Sequence, residues 1–190
     1  MTKFGKTKLR AFYLKKRLLL TQAENQQKSR QICENILQLK QTESKNFVAC
    51  YFAINNEPNI QEVIDHFLNT GNTVTAPAFF NKLKGYKFVK FFNWQNLTPG
   101  PYQIPQPSIL TPIDPKNIDL AFIPGLSFAK NGTRLGYGKG VYDKLMTNTN
   151  ALKIGVCFDF QVIDNFNAES HDLRVDFIIT EKRLIKTRNT

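Results

Sequence analysis

The chain has 190 residues, 42% of them hydrophobic and 22% charged, with 10 Gly, 9 Pro and 3 Cys, a composition that excludes disordered, collagen-like and disulfide-dense classes. At this length it reads as a single domain, 1–190, large enough to bury about 70% of its unfolded surface. The formal charge of +11 is the abnormal quantity, and it points to nucleic acid, an anionic surface or an anionic ligand.

The excess is N-terminal. Nine Lys and Arg (Lys3, Lys6, Lys8, Arg10, Lys15, Lys16, Arg17, Lys28 and Arg30) fall in the first 30 residues against one acid, Glu24. They alternate with Leu9, Phe12, Leu14, Leu18 and Leu19, which predicts an amphipathic helix over 6–20 and not a signal peptide, whose apolar core would be uninterrupted. A second helix is expected over 23–39, with Thr21 as its cap and Glu24 three residues on. No apolar run approaches the ~18 residues of a membrane span. Cys33, Cys50 and Cys157 are odd in number and widely spaced, as expected of reduced, buried thiols in a cytoplasmic protein.

From Phe47 the texture changes. Residues 47–53 form a near-continuous apolar run, the pattern of a strand buried on both faces. A helix over 60–68 stopped by Gly71, a strand over 73–76 and an alternating strand over 86–92 follow, giving a strand–helix–strand crossover. Six of the nine prolines lie in 99–115, which predicts a long loop without regular structure. A buried strand over 118–123, a helix over 141–146, a strand over 153–158 and a last strand over 177–179 complete the series. The alternation argues for an α/β fold, an open and mainly parallel sheet with helices on both faces, whose ligand sits outside the carboxyl ends of the strands.

That rule directs attention to the segment 124–143, which follows the 118–123 strand and holds five of the ten glycines. Gly136, Gly138 and Gly140 alternate there between Arg134 and Lys139. Glycine permits close backbone approach, so amides can turn toward an anion while the two cations supply charge, the makings of a polyphosphate cradle. The spacing matches neither the standard P-loop nor the dinucleotide fingerprint. Asp143 beside such a cradle would repel phosphate unless a cation intervened, which points to magnesium; Asp172 is available as a second acid. A glycine-rich surface turn, and a carboxylate complementing a helix dipole, are the plainer readings of the same residues.

Gly-x-Arg-Leu-Gly-x-Gly-x-Gly-x-Tyr-Asp after a strand ending Pro-Gly, Lys-x-x-Leu-Arg in the first helix and His-Asp before a terminal Val-Asp strand together resemble the 5-formyltetrahydrofolate cyclo-ligase family over 6–180. The resemblance implies a three-layer sheet of the NagB/RpiA/CoA transferase-like type, and an ATP- and Mg2+-dependent cyclisation of 5-formyltetrahydrofolate, with or without a polyglutamate tail, to 5,10-methenyltetrahydrofolate. Carried over by position, it implies ATP contacts from Lys6, Thr7, Lys8, Leu9 and Arg10. It also implies that Arg134, Leu135, Gly136, Tyr137, Gly138, Lys139, Gly140, Val141 and Tyr142 wrap the phosphates. Residues 137–141 of that loop would also meet the formyl group. Asp143 and Asp172 would hold magnesium. Glu57 would meet the pterin ring with Phe52 beside it, and Tyr102 would stand against the folate. The sequence departs from the family at Val141, where relatives carry tyrosine.

Formamides are poor electrophiles, so phosphorylation of the formyl oxygen would create the leaving group that N10 displaces; positioning and charge neutralisation by Arg134, Lys139, Tyr142 and a magnesium ion suit that chemistry. Another ATP-dependent kinase or ligase on this fold, and a basic nucleic-acid-binding module, are the competing readings. Most aromatics fall inside predicted strands, against the latter. The expected state is a cytoplasmic monomer with no nucleic-acid or membrane partner.

Overall fold

Thr21 starts the second helix as the sequence predicts: its hydroxyl accepts from the Glu24 amide at 3.2 Å, and the Glu24 carboxylate accepts from the Thr21 amide at 2.8 Å, a complete capping box. The computed structural model describes residues 5–169 and 172–187; Lys3, and His171 of the His-Asp pair, lie outside them. Helices α1 (Lys6–Leu18) and α2 (Gln22–Leu37) lead into β1 (Phe47–Ala49), α3 (Gln61–Asn69), β2 (Thr73–Phe80) and β3 (Gly85–Lys90). There follow β4 (Leu97–Pro99), β5 (Pro105–Pro107), β6 (Leu120–Pro124), β7 (Ser127–Ala129), β8 (Arg134–Leu135) and α4 (Val141–Leu145). The chain continues through β9 (Leu152–Val156), β10 (Val162–Ile163), β11 (Phe177–Ile179) and β12 (Leu184–Lys186).

The main sheet has seven strands in the order β12-β11-β9-β6-β1-β2-β3. Its five inner strands run parallel, and both edges, β3 and β12, run antiparallel to their neighbours. Side-chain alternation sorts the core into two layers. Val48, Leu120, Phe122, Ile154, Val156 and Ile179 pack with Ile32 and Ile36 of α2 and with Val63, Ile64 and Phe67 of α3. Ala49, Ala121, Ile123 and Ile178 face the other way, onto Phe128 of β7 and Leu145 of α4. The Phe128 ring fills the space left by two glycines: a Cβ at Gly125 would fall 2.7 Å from it and one at Gly155 2.6 Å.

The structure corrects several expected boundaries. Of the apolar run 47–53 only Phe47–Ala49 is strand; Cys50 still donates to the Thr75 carbonyl at 2.8 Å, and the chain then leaves the sheet while Cys50 and Tyr51 stay buried. Apolarity there reports burial and not extension. Residues 99–115 are not wholly irregular, because β4 and β5 pair as a two-stranded hairpin detached from the main sheet, where proline is tolerated at an edge. A third sheet, β10-β7-β8, arises within and beyond the glycine-rich segment, and β12 follows the strand expected to be last. No helix among the described residues is long and apolar enough to cross a membrane.

Because β1 lies between β2 and β6, the chain leaves β1 toward one side of the sheet and later returns on the other. A crevice outside the carboxyl ends of β1 and β6 is the ligand-binding position of such sheets. The loops after those two strands therefore carry the candidate site.

Candidate active site

After β1 the chain turns through Asn55 and Asn56, both left-handed (φ 49° and 57°), a conformation that asparagine tolerates better than most residues. The turn closes on Glu57, whose amide donates to the Ile54 carbonyl at 2.9 Å and whose carboxylate accepts from the Ile54 amide at 3.2 Å. Glu57 is buried. Burial pushes its carboxyl above the usual carboxylate range, and Arg17 is the principal group opposing that.

After β6 the hairpin β7–β8 delivers Arg134. Its Nε donates to the Pro124 carbonyl at 2.6 Å, its guanidinium lies over the Tyr142 ring at 4.9 Å, and its Nη1 is 4.0 Å from the Asp143 carboxylate. Gly136 packs directly on it, since a Cβ there would stand 2.5 Å from Nη1. Gly138 and Gly140 adopt φ of 90° and 64°, which side chains disfavour, and these two positions turn the loop into α4. Among the described residues, no backbone carbonyl accepts from the amides of Tyr137, Gly138, Lys139 or Gly140. Lys139 is exposed at the loop tip, while Val141 and Tyr142 are half-buried. Burial raises the pKa of the Tyr142 hydroxyl, so it stays protonated.

Helix α1 lies along this loop. Lys6 and Arg10, one turn apart, both point into it: Arg10 Nε donates to the Gly136 carbonyl at 2.9 Å, and Lys6 Nζ meets the two Asp172 oxygens at 2.7 and 2.9 Å and Glu169 at 3.3 Å. Leu9 and Leu135, in contrast, are core residues of a cluster with Tyr13, and Thr7 and Lys8 are exposed.

The residue that sequence reasoning missed is Arg17, counted there only among the N-terminal cations. It is fully buried, donating from Nε to the Asn55 carbonyl at 2.9 Å, from Nη1 to the Gly125 carbonyl at 3.1 Å and from Nη2 to the Tyr137 hydroxyl. Glu57 Oε1 lies 3.7 Å from Nη2 and accepts from the Tyr137 hydroxyl at 3.4 Å. The signal was spacing: Leu9, Tyr13 and Arg17 form the buried stripe of α1 at intervals of four.

Of the aromatics, Phe52 packs edge-on against Phe91 and Trp94, with centroids 5.1 and 5.6 Å away. The Trp94 indole donates to Asp65 at 2.6 Å. Tyr102 stands on the β4–β5 hairpin, 82% exposed. The cysteines are all buried, and burial pushes the Cys33 thiol up to about 12, unsuited to nucleophilic work.

For a divalent cation, the described residues offer no cluster of three or more His, Cys, Asp or Glu side chains. Asp143 accepts from the Leu173 amide through Oδ1 at 3.0 Å, and among the described residues its Oδ2 has only the 4.0 Å approach of Arg134. One open carboxylate oxygen beside a cationic, glycine-lined loop fits a hard cation that takes the rest of its shell from phosphate and water. Asp172 is held by Lys6.

The model of the 5-formyltetrahydrofolate cyclo-ligase family matches residues 2–181. A 5-formyltetrahydrofolate cyclo-ligase of Mycoplasma genitalium is 30% identical over 178 residues, 92% of this chain and 96% of that protein. Among solved structures, the Aquifex aeolicus 5,10-methenyltetrahydrofolate synthetase superposes with a TM-score of 0.86 at 28% identity, covering 97% of this chain and 94% of its own. A 5,10-methenyltetrahydrofolate synthetase from Mycoplasma pneumoniae gives 0.77 at 25% identity, over 94% and 99% of the two chains.

Proposed function

The chain belongs to the 5-formyltetrahydrofolate cyclo-ligase family, and on that premise we propose how its residues divide the work of converting 5-formyltetrahydrofolate to 5,10-methenyltetrahydrofolate with ATP. The observation that carries the reading is the meeting of the two switch-point loops, where the Tyr137 hydroxyl of the glycine loop reaches the buried Glu57 carboxylate at 3.4 Å. One loop suits phosphates and the other suits a ring with paired N–H donors, so a nucleotide and a pterin would be held against each other.

The amides of residues 137–140 with Arg134, Lys139, Lys6 and Arg10 take the ATP phosphates. Asp143 would hold magnesium, joined by Asp172 once Lys6 turns to phosphate, and the ion would neutralise charge on the transferring phosphoryl group. Glu57 accepts from the aminopyrimidine donors, with Phe52 packing beside the ring. The formyl oxygen attacks the γ-phosphorus and the bond to ADP breaks. N10 then adds to the activated formyl carbon and loses its proton, and phosphate leaves with the formyl oxygen, giving the amidinium product. Through these steps Arg134 and Lys139 stabilise the equatorial oxygens, and the protonated Tyr142 hydroxyl donates to the formyl group.

The inward orientation of Lys6, Arg10 and Arg17 favours this reading of the basic N-terminus over a nucleic-acid surface, and the remaining cations suit the folate's glutamate tail. We read residues 1–190 as a single catalytic domain acting as a cytoplasmic monomer. The test is direct: protein, MgATP and 5-formyltetrahydrofolate are mixed and the near-ultraviolet absorbance of the methenyl product is followed. Absorbance that grows with enzyme and needs ATP is expected; no product at micromolar enzyme overturns the assignment.

A further inference from the structure

Arginine is almost never fully buried unless it is paired, yet the Arg17 side chain is completely inaccessible. The stripe of α1 to which it belongs is otherwise Leu9 and Tyr13, so an apolar side chain would suit that position and avoid the cost of desolvating a charge. What a guanidinium adds is a rigid fork and a permanent charge. The fork reaches Asn55 in the loop after β1, Gly125 in the loop after β6, and Tyr137 in the glycine loop, three segments that no other single side chain described above joins. Its charge faces Glu57 Oε1 at 3.7 Å. The Tyr137 hydroxyl accepts from Arg17 and, at 3.4 Å, from Asn55, and donates to the same Glu57 oxygen, so it occupies a position that a substrate N–H would need.

We propose that Arg17 is a positioning residue for folate: it clamps the two switch-point loops and sets the Glu57 carboxylate toward the pterin ring, with the Tyr137 hydroxyl capping that carboxylate until the ring's donors replace it. The proposal rests on the assignment of Glu57 to the ring made above.

The groups facing Glu57 come from every element around it: Arg17 from α1, Tyr51 beyond β1, Arg134 from β8, Tyr137 from the glycine loop and Tyr142 from α4. Burial favours the protonated acid, and Arg17 is the strongest influence against it. Without Arg17, Glu57 takes up its proton at higher pH. A protonated carboxyl presents a donor to a donor and matches the ring badly.

The experiment measures KM for each substrate and the pH profile of kcat/KM for folate in R17M, R17K, E57Q, R17M/E57Q and Y137F, each checked for folding by circular dichroism. In R17M the folate KM is expected to rise about ten-fold, the scale of a lost charge-assisted contact, while the ATP KM changes less than two-fold. The acidic limb of the profile moves to higher pH in R17M and less far in R17K, which keeps charge without the fork. The double variant binds folate no worse than E57Q, and Y137F lowers the folate KM. An unmoved limb in R17K, or KM values for both substrates rising together, overturns the proposal; R17K carries the test even where R17M fails to fold. An E57Q enzyme with unchanged folate kinetics removes the assignment of Glu57 to the ring itself. A raised KM in E57Q with an unmoved limb in the Arg17 variants removes only the role of Arg17.

Discussion

The Lys6 ammonium and the Asp172 carboxylate, 166 positions apart in sequence, face each other through two contacts of 2.7 and 2.9 Å with both side chains largely shielded from water. The first turn of α1 is thereby tied to the segment before β11. Under the assignments proposed above, a phosphate arriving between them would compete with Asp172 for Lys6, and a cation arriving with it would compete with Lys6 for Asp172. Lys6→Met is accordingly expected to raise the KM for ATP by about ten-fold, the scale of a charged hydrogen bond, with the folate KM little changed. Initial rates at varied ATP and fixed folate check this, and equal rises in both constants would refute it.

Asp143→Asn keeps the acceptor oxygen that takes the Leu173 amide and removes the charge beside Arg134. The fold should survive, with an unchanged melting temperature. Turnover should fall at least a hundred-fold, on the order of the loss of a transition-state charge partner, and the magnesium concentration for half-maximal rate should rise. Chelation of divalent cations from the unmodified enzyme should stop turnover and readdition should restore it. A variant with ordinary magnesium dependence would remove Asp143 from that role.

Glu57→Gln keeps size and one acceptor but presents an N–H to one of the ring donors. A folate KM raised about ten-fold with an ATP KM within two-fold is the expected split, read from steady-state kinetics.

Gly136→Ala places a methyl 2.5 Å from Arg134 Nη1, and this guanidinium cannot move without losing its 2.6 Å bond to Pro124. Since Arg134 is buried, the substitution is expected to cost about 1–3 kcal/mol, the range for overpacking, and to depress kcat together with stability. Gly140→Ala meets no neighbouring atom. It carries only the cost of its left-handed φ, roughly 1 kcal/mol, so it should be the milder variant by thermal melting.

Thr21→Ala removes one side of the capping box, a contact that the Thr21 side chain makes with Glu24 and with no residue assigned to ATP or folate. A loss of about 1 kcal/mol, or roughly 2–4 °C in Tm for a chain of this size, is expected with unaltered kinetics. A change in either KM would mean that α2 communicates with the site.

Much of the frame was legible because its rules are local. Thr21 and Glu24 announce a helix by their spacing, and the 118–123 segment announces a buried strand because Asp119 is its single polar side chain. The rule that a ligand sits outside the carboxyl ends of such strands points from the 118–123 strand to the glycine loop, although the strand order itself is not visible in the sequence. What was not legible depends on partners distant in sequence. The run 47–53 looks extended throughout, but whether Cys50 and Tyr51 continue a ladder depends on β2 and β6, and the ladder ends. Arg17 looks like one more cation among Lys15 and Lys16, because nothing nearby shows that Gly125 and Asn55 will present carbonyls to it. Strands of two or three residues such as β8 and β10 carry too few side chains to show a period.

Phe128, wedged between Gly125 and Gly155, ties the tolerance of distant positions to the needs of the site. Gly155 lies within β9, yet any side chain there would press the ring toward Gly125, whose carbonyl Arg17 and Gln161 both hold. A substitution that looks conservative for a buried strand would therefore reach, through one ring, the carbonyl that anchors Arg17.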